Sequence, residues 1–171
     1  TAFPFAAAYL LPTGQVDVTL IVGTIFFLIP YNLAMYGIND VFDYESDLRN
    51  PRKGGVEGAL LDTRMHRPTL IASVVTTVPF VVYLVIVGSP LSWLVLAISL
   101  FAVVAYSAKG LRFKEKPFLD SITSSTHFVS PGLYGLVLAG AVFTPQLWAV
   151  LGAFFLWGMA SHAFGAVQDV I

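Results

Sequence analysis

Long apolar runs separated by short polar breaks make up this chain, and the breaks carry the charge, with Asp17 the only charge before the main polar motif. Thr1 to Leu11 is apolar but shorter than the ~20 residues a bilayer crossing needs, so it reads as a first helix whose beginning is absent. Leu11-Pro12-Thr13-Gly14 is a turn signal. A second span follows from Val18 to Ile38, with Pro30 predicting a kink within it. The polar segment Asn39 to Arg67 separates it from a third span, Pro68 to Val87, with Pro68 expected in the first helical turn. Gly88-Ser89-Pro90 turns the chain, and Leu91 to Tyr106 returns it. After the polar segment Ser107 to Asp120 come a fifth span, Ser121 to Val142, and a sixth, Gln146 to Gly165. The pattern predicts an all-α, polytopic transmembrane helical bundle of about six spans, the first truncated. Residues 1–171 read as a single domain, incomplete at both ends.

Composition agrees with this pattern. Hydrophobic residues make up 57% and charged residues 11%, far from the balance of a water-soluble domain. All nine Lys and Arg fall in two segments, Arg49 to Arg67 and Lys109 to Lys116, which the positive-inside rule places on the cytoplasmic side. Counting spans puts Gln168 and Asp169 on that side too, so the expectation is a multi-pass cell-membrane protein with a site facing the cytoplasm. The absence of cysteine excludes disulfides, thiolate nucleophiles and cysteine-ligated metals. Nucleic-acid binding has no support, because the basic residues adjoin an acidic cluster and a bilayer.

The chemistry concentrates at the end of the second span. At ~100° per residue, Asn32, Tyr36, Asn39, Asp40, Asp43 and Asp47 share an arc of about 100°, while Glu45 points away. Carboxylates one or two turns apart repel by roughly 2–3 kcal/mol per pair at an effective dielectric near 20. A cluster of this kind calls for a divalent metal, for the nearby Arg49, Arg52 and Lys53, or for both. Oxygen-only ligands favour magnesium, which keeps positions open for phosphate oxygens. The plainer alternative is a solvated acidic loop at a membrane edge, but such a loop has no reason to keep its acids on one arc.

Asn39-Asp40-x-x-Asp43-x-x-x-Asp47, followed by a basic, glycine-rich loop, resembles the first aspartate motif of the UbiA-type membrane prenyltransferases. The longer strings FFLIPYNLAMYGINDVFDYESDLRNPRKGGVEGA, YSAKGLRFKEKPFLDSITSSTHF and FFLWGMASHAFGAVQDV are similar to the lycopene elongases of carotenoid biosynthesis. The resemblance implies magnesium-assisted departure of diphosphate from an allylic prenyl diphosphate, with Asn39, Asp40, Asp43 and Asp47 acting as a set. It also implies a Tyr/Lys pair in Tyr106 and Lys109. Gly110 stands where the family often has its basic residue, so Arg112 or Lys114 are substitutes. Asp169 matches the first acid of the family's second motif, Asp-x-x-x-Asp, as a further metal ligand. Such enzymes usually have more spans than this chain, so residues 1–171 alone are expected to be inactive.

Other residues carry two readings. Arg49, Arg52 and Lys53 either clamp diphosphate or bind anionic lipid headgroups, and Arg64, His66 and Arg67 lean towards the lipid role. Asp120 is either a site residue or an acid at a helix N-terminus. His127 lies in a helix rich in Ser and Thr, which favours interior packing over substrate contact. His162 and Asp169 share a face with Gly158 and Gly165, suited to lining a cavity or to tight helix packing. By resemblance, the expected function is transfer of a dimethylallyl group to lycopene, with the bilayer and a lipophilic isoprenoid acceptor as partners. A quinone precursor or a glycerol-phosphate lipid is the alternative acceptor. A divalent-cation transporter is the non-enzymatic alternative, disfavoured because transporters keep ionisable residues near mid-membrane and these lie at one edge.

Overall fold

The computed structural model describes residues 1–50, 53 and 58–168. Seven α-helices run in order among them: α1 Ala2–Thr13, α2 Val18–Leu28, α3 Pro30–Asp47, α4 Thr63–Val87, α5 Pro90–Ser107, α6 Leu119–Leu138 and α7 Pro145–Gln168. A 3-10 turn, Phe113–Glu115, lies between α5 and α6. Four stretches are long and apolar enough to cross a membrane, namely Val18–Asp47, Thr63–Val87, Pro90–Ser107 and Pro145–Val167. Of the six expected spans, the first is the short α1 and the fifth is α6, which has the length but is rich in Ser and Thr. The chain is an all-α integral membrane protein.

Turn chemistry explains the element boundaries. α1 ends at Gly14, whose φ of 63° lets its N–H reach the Leu10 carbonyl at 2.7 Å. Asp17 caps α2 by accepting from the Leu20 N–H at 2.8 Å and also accepts from the Tyr9 hydroxyl at 2.8 Å, which ties α1 to α2. The expected second span is two helices joined at Ile29-Pro30, and it runs nine residues beyond Ile38, to Asp47. Pro30 has no N–H to continue the ladder of α2. The Asn32 side-chain amide donates instead to the Phe27 and Leu28 carbonyls, at 3.0 and 2.9 Å. The third span also differs from its expected bounds. Asp62 accepts from the Arg64 N–H at 2.9 Å and starts α4 at Thr63, so Pro68 lies inside the helix and not in its first turn.

α6 occupies the middle of the bundle, packed against α1, α5 and α7. Its Thr123, Ser125, His127 and Ser130 are buried, as the interior-packing reading of that helix expects. Glycines allow the close approach to α1: a Cβ on Gly135 would lie 2.7 Å from the Phe5 carbonyl oxygen. Phe5, Phe26, Phe27, Tyr31 and Tyr134 form a closed aromatic core beneath the polar end of α3, with Phe5 and Phe27 centroids 5.1 Å apart. Most side chains of α4 and α7 lie outside the packed interior.

Candidate active site

The acid stripe forms as one helical surface, because α3 continues unbroken from Pro30 to Asp47. Its charges are met from two directions. Lys53 Nζ lies 3.0 Å from Asp47 and 3.9 Å from Asp40. Asp43, the buried acid of the stripe, is paired with Lys114, and the Arg112 guanidinium is 3.8 Å from its Oδ1. Arg112 also donates to the Phe42 carbonyl at 3.3 Å and pairs with Glu115 at 2.5 Å. That contact holds the Glu115 carboxyl below its usual range. Partial burial lowers the Lys114 ammonium, against the opposing pull of Glu115, Asp120 and Asp40.

The segment after α5 can deliver these cations because it folds back sharply. Gly110 takes φ 95° and Arg112 takes φ 42°, both in the left-handed region. This fold-back places Arg112 and Lys114, the sequence's substitutes for the family's basic residue, against Asp43. Lys109 is exposed on the turn. Arg49 is exposed just past the end of α3. Arg52 and Asp169 lie outside the described residues. Asn32 does not join the cluster, since its amide is used at the α2–α3 kink.

A second group faces the stripe from α5, α6 and α7. Asp120 Oδ1 and His162 Nε2 are 2.9 Å apart, an ion-pair distance, with the ring N–H not aligned to donate. The Tyr106 ring meets the His127 and His162 rings edge-on, at centroid distances of 5.5 and 6.5 Å. Two cavities share Tyr106 as a wall. A polar cleft of 430 Å³ lies between Tyr106, Lys114, Asp120, Ser161 and His162. A less polar cavity of 260 Å³ lies between Met35, Tyr36, Asn39, Tyr106, Ser124 and Phe128. Asn39 donates its side-chain N–H to Ser107 at 2.9 Å, leaving the amide oxygen as the group available to a ligand.

Among the described residues, no three His, Asp or Glu side chains converge into a ready cage for a metal ion. The donor chemistry nevertheless suits a hard divalent cation, being oxygen only. Asp43 Oδ1 is also buried without a hydrogen-bond partner. Lys53 and Lys114 hold these carboxylates in the structure described here.

Several residues around the site escaped the sequence reading, among them Ser107, the partner of Asn39. Ser107 had a faint signal, as a hydroxyl at the end of an apolar run. Met35 and Phe128 had none, because an apolar side chain on a membrane helix looks the same whether it faces lipid or a cavity.

Comparison with known proteins bears on this geometry. The UbiA prenyltransferase family matches the chain over residues 1–170. The C(50) beta-cyclic carotenoids biosynthesis protein LbtBC of Dietzia sp. (strain CQ4) is 69% identical over 170 residues, covering 99% of this chain and 39% of that protein. A lycopene elongase/hydratase of Corynebacterium glutamicum is 60% identical over 170 residues, 99% of this chain and 59% of that protein. A lycopene elongase/hydratase of Haloarcula japonica is 36% identical over 149 residues, 85% of this chain and 48% of that protein. The chain thus spans between 39% and 59% of the length of these three relatives. No solved structure matches it.

Proposed function

The chain belongs to the UbiA prenyltransferase family, and on that premise we propose that the whole protein transfers a dimethylallyl group from its diphosphate to lycopene. One observation carries this reading: an acid-and-cation cluster adjoins a less polar cavity, with Tyr106 lining both that cavity and the polar cleft. The names of the lycopene elongase/hydratase relatives support lycopene as the acceptor. Family membership removes support from the cation-transporter alternative.

Asn39, Asp40, Asp43 and Asp47, with Asp169, would hold magnesium, which would neutralise charge building on the departing diphosphate. Lys114, Arg112 and Lys53 stand beside these acids and supply the positive charge that orients the diphosphate. Departure of diphosphate leaves an allylic cation in the cavity walled by Tyr36, Tyr106 and Phe128. The faces of these rings stabilise a cation without reacting with it. The low polarity of the cavity keeps water from quenching the cation early. A terminal double bond of the acceptor then attacks, forming a carbon–carbon bond and a new cation. That cation loses a proton or takes up water and then loses a proton. The site opens to the cytoplasmic side.

Membranes carrying the whole protein, given lycopene and labelled dimethylallyl diphosphate, test the reading by product mass. The expected product is a carotenoid enlarged by five-carbon units. Asp43→Ala is expected to lower turnover at least ~100-fold while membrane insertion is retained. Full activity after chelator treatment would remove the metal from the scheme, and label in a quinone or glycerolipid would reassign the acceptor. Cysteines placed at Lys53 and Lys114 should react with the same cytoplasmic-side reagent. Residues 1–171 alone should show no turnover.

A further inference from the structure

The cavity beside Asn39 is one helical turn deep, and that depth has a consequence for the donor. On α3, Met35 lies four residues before Asn39, and on the antiparallel side Phe128 lies four residues after Ser124 on α6. Four residues of helix rise about 6 Å. A dimethylallyl group extends about 4–5 Å from its reacting carbon at ordinary bond lengths, so it fits between the stripe and this floor. A second isoprene unit doubles that reach and meets Met35 and Phe128.

Volume leads to the same limit. At roughly 30 Å³ per packed heavy atom, the share of a water molecule in the liquid, five carbons take about 150 Å³ and ten take about 300 Å³. The cavity has 260 Å³. One isoprene unit fits within it together with the reacting tip of an acceptor, whereas a ten-carbon chain would fill it alone.

The turn beneath the floor is already filled. Tyr31, four residues before Met35, is fully buried in the aromatic core. Gly132, four residues after Phe128, packs on Pro4, whose atoms lie 3.5–3.8 Å from where a Cβ would be, an ordinary contact distance. Neither position can yield without moving α1 or the core, whereas Phe128 is itself 40% exposed and open on one side. Phe128 is thus the part of the floor whose removal adds depth without unpacking the bundle.

We propose that Phe128, backed by Met35, is the specificity-determining floor that restricts the donor to a single isoprene unit. This rests on the prenyl-transfer reading above.

The test sets dimethylallyl diphosphate against geranyl diphosphate in membranes containing the whole protein and lycopene, reading kcat/KM for each donor. Wild type should favour dimethylallyl. Phe128→Ala should raise the geranyl-to-dimethylallyl ratio at least ~10-fold, the scale on which apolar pockets discriminate. Phe128→Leu should fall between them, and Phe128→Trp should keep the wild-type preference. A general packing defect would lower both donors together and leave the ratio unmoved. A Phe128→Ala protein that still transfers dimethylallyl with an unchanged ratio would overturn the proposal.

Should Phe128→Ala not insert, Met35→Ala and Phe128→Leu provide the same ratio. Should the wild type transfer neither donor to lycopene, the function reading fails. Binding of the two unreactive thiolo-diphosphate analogues then still tests the floor. Equal affinity of wild type for both analogues would sink it, and tighter dimethylallyl binding that Phe128→Leu abolishes would uphold it.

Discussion

α6 and α7 are neighbours, yet they reverse the rule that apolar helices are buried and polar ones exposed. α6 buries Thr123, Ser125, His127 and Ser130 in the centre of the bundle. α7, the more apolar of the two, leaves Trp148, Leu156, Trp157 and Phe164 more than half exposed. In water this arrangement would be unstable. In a bilayer, apolar side chains gain nothing by leaving lipid, whereas hydroxyls and imidazoles gain partners by turning inward. The contact between the two helices follows the same logic. Ser125 donates to the Phe155 carbonyl at 2.7 Å, and Gly158 leaves room for that hydroxyl. Of these inward-turned groups His127 meets Tyr106, and Asp120 at the start of the same helix meets His162, so burial and site construction coincide on this helix.

The sharpest way to break this comparison is to crowd each helix with the same side chain. Gly135→Val on α6 would drive a Cβ to within 2.7 Å of the Phe5 carbonyl, a backbone atom that cannot step aside. Loss of about 3 kcal/mol or more, or of folded protein altogether, is expected. Gly152→Val on α7 meets no atom within 4 Å and should change the detergent-solubilised melting midpoint very little. Equal tolerance at both positions would show that α6 is not the packed centre.

Next in size is His127→Leu, which separates stability from function. His127 is buried, its Nε2 has no hydrogen-bond partner and its ring bonds only the Ala102 backbone, so the fold should lose no more than about 1.5 kcal/mol. Loss of the edge-on contact with Tyr106 should lower turnover about tenfold, about 1.4 kcal/mol of barrier. A variant that melts normally and turns over normally would mean that the polar interior of α6 serves packing alone.

Ser125→Ala removes one interhelical hydrogen bond and should cost about 0.6 kcal/mol, the average for such bonds between membrane helices, in a denaturant-unfolding assay. Trp157→Leu on the outer face of α7 should cost less than about 0.5 kcal/mol by the same assay. Reversal of that order would place the α6–α7 contact elsewhere on the two helices.

Much of the candidate site was legible because helical periodicity is a local property. Asp40, Asp43 and Asp47 were placed on one arc from spacing alone, and each has a cation beside it in the structure. The same arithmetic also took in Asn32. What it missed is that Pro30 leaves carbonyls unpaired at the kink, and the nearest amide is taken to satisfy them. Pro68 shows a similar limit, since an aspartate cap six residues upstream outweighed proline's preference for a first turn.

By itself, then, the order of residues determined that the chain is a helical membrane bundle, where its polar end lies, and that three carboxylates share one face there. Each of these depends on interactions between residues a few positions apart, or on the partition of whole segments between lipid and water. Only the tertiary structure decided that Lys114 and Arg112 neutralise Asp43 from about seventy residues away, through the left-handed turn at Gly110 and Arg112. It likewise decided that Tyr106 walls two cavities and that Phe128 floors one of them. Such pairings depend on how helices cross. Crossing is set by glycine contacts and side-chain volumes summed over the bundle, and no local window of sequence contains that sum.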